Sequence, residues 1–140
     1  MFPVENIATL TMDPKTSTIY AVGRQNIYRS TDGGQKWDTV KKDFPDNMRM
    51  SALTIDPVRS STLYLGTSHE IFKSIDSGRN WRRINNGMPE RFSIRTIVIN
   101  PQNPDIVYVG TSSRGVFKSI DGGANWRPIN NELPCSPPLG

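Results

Sequence analysis

Three copies of one short motif constrain the fold of this chain more than any other feature. The copies span residues 30–37, 74–81 and 119–126, and each reads Ser, any residue, Asp, any residue, Gly, any two residues and Trp. Their tryptophans are 44 and then 45 residues apart. A period of this length, carried by strand-like segments, predicts the consecutive units of a repeat protein such as the blades of a β-propeller.

The repeat extends over nearly the whole chain. In the second unit, four β-type segments are expected at 52–55, 62–65, 71–74 and 81–84. Branched and aromatic residues dominate these segments, and turn-forming residues separate them. We therefore expect an all-β propeller segment of three four-stranded antiparallel blades at residues 4–45, 46–89 and 90–134, followed by a Pro-rich tail at 135–140.

The motif is expected to form a tight hairpin between the third and fourth strands of each blade. Its Asp would accept hydrogen bonds from backbone N–H groups one and two residues further on, and its Ser would bond locally. Its Gly permits a positive φ, and its Trp supplies apolar surface and an indole N–H. The positions with this structural role are Ser30, Asp32, Gly34, Trp37, Ser74, Asp76, Gly78, Trp81, Ser119, Asp121, Gly123 and Trp126.

At these residues the chain resembles the Asp-box (BNR) repeat family and, over the longer signature at 55–76, the YVTN-like bacterial propellers. Family members include sialidases, sortilin-type receptors, xyloglucanases and a photosystem II assembly factor. The resemblance covers residues 4–134 and implies a propeller fold. One departure is that Lys36, Asn80 and Asn125 stand where many family boxes carry Thr, which is expected to weaken one local hydrogen bond.

The family includes enzymes, but this sequence does not match the catalytic signatures of two of their classes. Sialidases of this fold use an F-R-I-P segment, and the nearest segment here, at residues 91–95, does not match it. The glycoside hydrolases place two carboxylates across a cleft between two propellers, whereas the carboxylates outside the boxes are scattered here. We therefore expect no catalytic residue. The alternatives are a fragment of a sialidase or glycoside hydrolase propeller, or a glycan-binding module.

Net charge and the rare residue types narrow the function further. The formal charge of +4 comes without a dense basic run or a nucleic-acid motif, so nucleic acid is not an expected partner. His69 and Cys135 are single in the chain, so no metal site, cofactor or intrachain disulfide is expected. No apolar stretch is long enough to predict a transmembrane segment, and the compartment stays undetermined because the family is often exported.

A candidate binding face follows from propeller topology. Loops that join the second and third strands of a blade share one face with the connections between blades. On that face the sequence places Arg24, Arg49, Arg91, Phe92 and Arg114. Arginines beside an apolar side chain suit a protein partner with acidic groups, although solubility alone also explains loop arginines.

The number of blades predicts association. Closed propellers have about four to eight blades, so three blades would leave two apolar blade faces open. Those faces are expected to carry Leu10, Met12 and Tyr20 at one end and Ile97, Ile99 and Tyr108 at the other. We therefore expect a protein-interaction or scaffold module, either as a subunit of a larger complex or as a homo-oligomer that closes a ring, with a dimer preferred to a trimer.

Overall fold

The computed structural model describes residues 5–44, 48–131 and 133–134. Within these ranges the chain forms strands and no helix. The strands are β1 Thr9–Met12, β2 Ile19–Val22, β3 Ile27–Ser30, β4 Asp38–Lys41, β5 Met50–Ile55, β6 Leu63–Thr67, β7 Ile71–Ser74, β8 Arg82–Arg83, β9 Ile94–Ile99, β10 Val107–Thr111, β11 Val116–Ser119 and β12 Arg127–Pro128. The expected boundary at 45–46 and the tail at 135–140, with Cys135, lie outside the described residues.

The strands form three four-stranded antiparallel sheets in which each strand pairs with its neighbours in sequence. The orders are β1-β2-β3-β4, β5-β6-β7-β8 and β9-β10-β11-β12, and we call these sheets blades 1, 2 and 3. The inner strands β1, β5 and β9 contact one another in that order, so the blades stand side by side. The predicted all-β architecture of three four-stranded blades is confirmed.

In blades 2 and 3, strand length falls from the inside to the outside of the blade, whereas the four strands of blade 1 have 4 residues each. Inner strands β5 and β9 have 6 residues each, whereas outer strands β8 and β12 have 2. The fourth strand of the second unit is therefore shorter than the expected 81–84. It ends early because the N–H of Ile71 is taken by the side-chain oxygen of Asn85, at 2.8 Å, instead of by a further ladder carbonyl.

Two hydrophobic clusters fill the seams between adjacent blades. In each seam, one blade contributes the face that meets its successor, which we call its trailing face, and the next blade contributes its leading face. The seam between blades 1 and 2 contains Tyr20, Val22, Ile27, Phe44, Met50, Leu53, Ile55, Leu63, Leu65 and Phe72. The seam between blades 2 and 3 contains Ala52, Tyr64, Ile71, Ile84, Phe92, Ile94, Ile97, Ile99, Val107, Val109, Phe117 and Trp126.

Blade 2 is covered on both faces, and every residue of β6 is buried. The outer faces of blades 1 and 3 are open in the described part of the chain. Leu10 and Met12 are 61% and 53% exposed on the leading face of blade 1, and Val98 is 55% exposed on the trailing face of blade 3. Tyr20, Ile97 and Ile99, which were expected on the open faces, instead belong to the seams because they point towards blade 2.

Candidate binding surface

The three motif hairpins share one hydrogen-bond pattern, which the middle hairpin illustrates. The hydroxyl of Ser74 donates to Asp76 Oδ1 at 2.8 Å and accepts from the N–H of Gly78 at 2.9 Å. Asp76 Oδ1 also accepts from the N–H of Asn80 at 2.9 Å. The Asp therefore reaches a donor four residues on, and not the donors one and two residues on that the sequence suggested, because the Ser hydroxyl occupies the centre of the turn.

The residue before the Trp strengthens the hairpin in two of the three blades. The side-chain amides of Asn80 and Asn125 donate to the second carboxylate oxygens of Asp76 and Asp121, at 2.6 and 2.9 Å. The expectation that these substitutions weaken a local bond is therefore wrong for blades 2 and 3, because Asn replaces the donor that Thr would supply. In blade 1, Lys36 contributes its backbone N–H to Asp32.

These bonds also stabilise the ionised form of the motif carboxylates. The backbone N–H of Asn80, with its amide and the Ser74 hydroxyl, lowers the pKa of Asp76 to about 2. The amide of Asn125 leads the same effect on Asp121, whose pKa is also about 2. Carboxylates with low pKa and committed oxygens hold a turn together and do not deliver protons near neutral pH.

The loop face carries the sequence-predicted arginines in two pairs, each across one seam. Arg24 and Arg49 line a surface cavity of about 450 Å³ between blades 1 and 2, which Met48 also lines. Arg91 and Arg114 line a second cavity between blades 2 and 3, and Arg114 Nε donates to the backbone oxygen of Arg91 at 3.1 Å. The structure therefore brings the four arginines to one face.

A third cavity of about 500 Å³ connects these two pairs across the ends of the inner strands. Arg49 and Arg95 line it together with serines of blades 2 and 3. Arg95 was missed as a site residue because it is the extra residue of a β-bulge in β9, opposite Gly110 and Thr111, and this bulge leaves both Arg95 and Thr96 exposed. A bulge of this kind has no signature in the sequence of the strand. Strict alternation of buried and exposed residues would have predicted that either Arg95 or Thr96 is buried.

Phe92 differs from the sequence expectation. Its position on the loop face is as predicted, but the residue is 8% exposed and its ring belongs to the seam cluster between blades 2 and 3. An apolar ring beside an open seam gains more from burial than from exposure on the loop. The loop face therefore presents arginines, serines and Met48. Phe92 packs beneath these residues, in the seam between blades 2 and 3.

None of the loop-face arginines forms an ion pair within the described residues. The ion pairs in that part of the chain join Arg59 to Asp56 and Asp105, and Arg83 to Glu70. The described carboxylates on the loops of this face are Asp43, Glu70 and Glu90, of which Glu70 is paired with Arg83, and Glu5 lies beside Arg24. Glu5 accepts bonds from the Tyr28 hydroxyl and the N–H of Arg24, which lower its pKa.

No group of three His, Cys, Asp or Glu side chains among the described residues is placed to hold a metal ion. No helix long and apolar enough to cross a membrane occurs among them either.

Comparison with known proteins gives a family and a fold. The family model described as Sortilin, neurotensin receptor 3, matches residues 25–135. No curated protein sequence matches the chain. Among solved structures, the GH74 enzyme of Niastella koreensis superposes with a TM-score of 0.75 at 23% identity, over 88% of this chain and 22% of that one.

Two further solved structures show the same fold. The GH74 xyloglucanase of Xanthomonas campestris gives a TM-score of 0.71 at 18% identity, over 90% of this chain and 24% of that one. YCF48 bound to D1 peptide gives 0.68 at 17% identity, over 88% and 40%. The chain thus spans between about a fifth and two fifths of these proteins, and likeness at such identities shows the β-propeller fold alone.

Proposed function

We propose that this chain, which belongs to the sortilin (neurotensin receptor 3) family, is a non-catalytic protein-binding scaffold that recognises acidic protein segments on its loop face. The observation that carries the proposal is the set of five arginines on that face, namely Arg24, Arg49, Arg91, Arg95 and Arg114, none of which pairs with a carboxylate within the described residues. Guanidinium groups bind carboxylates through paired hydrogen bonds, and the seam cavities between them admit an extended segment.

Two further observations support a binding role over catalysis. Asp76 and Asp121, whose pKa values are lowered to about 2, are held by their own hairpins. YCF48, whose solved structure contains a bound D1 peptide, has the same fold. A peptide ligand is therefore compatible with this type of propeller. The cavity of about 500 Å³ across the ends of the inner strands has room for a short peptide segment.

A second candidate function comes from the likeness to GH74 enzymes. This chain covers 22% of the Niastella koreensis enzyme, so it would correspond to a part of such a propeller. In that case its role would be to complete a fold whose acid and base lie on other blades. The two functions make different predictions, because only the binding function requires the loop-face arginines to recognise an acidic segment.

The binding proposal is tested by reversing two charges on the loop face. Arg49→Glu with Arg91→Glu should weaken binding of a labelled glutamate-rich synthetic peptide roughly tenfold, measured by fluorescence anisotropy, because two attractive charges become repulsive. Added salt should weaken the wild-type contact as well. Both arginines are exposed, so the variant is expected to keep its fold.

The matched control is Arg82→Glu with Arg127→Glu, which makes the same change of charge on the outer strands. These residues are exposed on β8 and β12, away from the loops. The control should bind the peptide as the wild type does, apart from a small long-range effect. Equal weakening in the two double variants, or none in either, would rule out the loop face as the site.

A further inference from the structure

The seam between blades 2 and 3 shows how a trailing face holds a motif hairpin. The hydroxyl of Tyr64 and the ammonium of Lys73 both donate to the backbone oxygen of Gly122, at 3.1 and 2.8 Å. In return, the indole N–H of Trp126 donates to the backbone oxygen of Ile84 at 2.8 Å. Two side chains of blade 2 thus donate to one turn carbonyl of blade 3. The Trp of the same hairpin donates in the reverse direction, to a backbone oxygen of blade 2.

The open trailing face of blade 3 carries the same donors in the same arrangement. Tyr108 and Lys118 are register partners on β10 and β11, as Tyr64 and Lys73 are on β6 and β7. Lys118 Nζ lies 5.6 Å from the centroid of the Tyr108 ring, compared with 5.3 Å for the pair in blade 2. Within the described residues, neither side chain of the blade 3 pair donates a hydrogen bond to an acceptor.

The open leading face of blade 1 carries the matching hairpin. Gly33 and Gly122 occupy the same turn position, with φ of 74° and 66°. A β-carbon on Gly122 would lie 3.1 Å from Lys73 Nζ, whereas one on Gly33 would have nothing within 4 Å. Trp37 is 43% exposed, while Trp126, its equivalent in blade 3, is 4% exposed.

The apolar residues around these groups are also exposed on the open faces, whereas their repeat equivalents in the seams are buried. Leu10 and Met12 are more than half exposed on blade 1, and their repeat equivalents Leu53 and Ile55 on blade 2 are buried. Ile129 of blade 3 is 38% exposed, and its equivalent Ile84 is buried. The open leading face of blade 1 therefore matches the leading faces that are buried in the seams. The open trailing face of blade 3 likewise matches the buried trailing face of blade 2.

We propose that the two open faces bind each other between copies of this chain, in a head-to-tail junction that repeats the seam between blades 2 and 3. Tyr108 and Lys118 of one copy donate to the backbone oxygen of Gly33 in the next, and the Trp37 indole donates to the backbone oxygen of Ile129. The occupant is a second copy because both surfaces of the junction belong to one chain and are already joined within it in repeat-equivalent form. The junction uses none of the loop-face arginines, so it stands apart from the proposed acidic ligand.

The experiment blocks one face at a time. Met12→Arg places a charge on the leading face, and Val98→Arg places one on the trailing face; both positions are more than half exposed, so each variant is expected to fold. Wild-type protein should sediment as a species heavier than the 15.7 kDa monomer, and each variant alone should sediment as a monomer. An equimolar mixture of the two variants should form a dimer, because each supplies the face that the other lacks.

Control variants distinguish this junction from non-specific association through exposed apolar residues. Ile75→Arg and Ile120→Arg change exposed apolar residues on the hairpin turns, outside both open faces, and should leave the wild-type mass unchanged. Tyr108→Phe should raise the dissociation constant about fivefold through loss of one hydrogen bond, whereas Tyr20→Phe in the covered seam should not. The proposal is overturned by a wild-type protein that stays monomeric at every concentration, by single variants that assemble like the wild type, or by a mixture that forms no dimer.

Discussion

The two seams of this molecule join equivalent surfaces in different ways. Between blades 1 and 2, the ring of Phe44 packs edge-on against Phe72 and Trp81, with centroids 6.2 and 6.5 Å apart. The indole N–H of Trp81 bonds within its own hairpin, to the backbone oxygen of Gly78. Between blades 2 and 3, the equivalent Trp126 indole instead donates across the seam, next to the Tyr64 hydroxyl bond.

The difference shows which properties the repeat fixes and which it leaves to the neighbouring blade. All three motifs form the same hairpin, but their tryptophans are exposed in blade 1, half-buried in blade 2 and buried in blade 3. The motif thus determines the local turn, and the preceding blade determines what the Trp contributes to stability. Variants at equivalent positions in different blades measure this division directly.

The largest contrast is expected at the tryptophans. Trp126→Ala should reduce the free energy of unfolding by about 3–5 kcal/mol, because it removes a buried ring and the bond to Ile84. Trp37→Ala should cost less than about 1 kcal/mol, since its ring is 43% exposed. Urea unfolding of dilute protein, followed by circular dichroism, measures both. Similar losses would mean that a further contact covers Trp37.

A smaller contrast is expected at the tyrosine hydroxyls. Burial raises the pKa of Tyr64 to about 12, and its hydroxyl bonds to the oxygen of Gly122. Tyr64→Phe should cost about 1 kcal/mol, because Lys73 still donates to that oxygen. Tyr20 forms no side-chain hydrogen bond within the described residues, so Tyr20→Phe should change stability by less than about 0.5 kcal/mol. Equal costs would show that the two seams are bonded alike.

The turn position between Asp and Gly gives a third contrast. Blade 2 has Ser77 there with φ of 63°, a conformation that favours glycine, whereas blades 1 and 3 have Gly33 and Gly122. Ser77→Gly should stabilise the protein by less than about 1 kcal/mol, and Gly33→Ser should destabilise it by a similar amount because only the backbone differs. Thermal unfolding of the two variants measures both signs. Two changes of the same sign would show that contacts outweigh backbone strain.

The smallest change in stability is expected at the exposed motif carboxylates, where the pH dependence is the clearer signal. The folded pKa of Asp76 is about 2, below its ordinary value, so its bonds stabilise the fold above about pH 4 and are lost as pH falls towards 2. Lys36→Asn should add the second side-chain bond to Asp32 and lower that pKa further. Asn80→Ala should raise the pKa of Asp76. Carboxyl NMR titrations measure both, and unchanged midpoints would show that the Asn amide adds nothing.

Sequence reasoning predicted what depends on local chemistry and missed what depends on the neighbouring blade. The period, the turn residues and the branched strands were sufficient for three four-stranded blades. The direction of Phe92 was not predictable, because it depends on a seam whose other half is formed by residues of blade 2 such as Tyr64 and Ile71. Arg95 is exposed through a bulge, and Tyr20 is buried because its side of the sheet meets blade 2. Neither effect leaves a local pattern.

The complete burial of β6 determines where this molecule opens. In a single copy of this chain, whose units interact only with their neighbours, a terminal unit is released by breaking one seam, whereas the middle unit is released by breaking two. Amide protons of β6 should therefore exchange through global unfolding, and those of β1 and β12 through local fraying. A destabilising change in blade 2 lowers the barrier to opening for the whole molecule, while the same change in blade 1 leaves the other two blades joined.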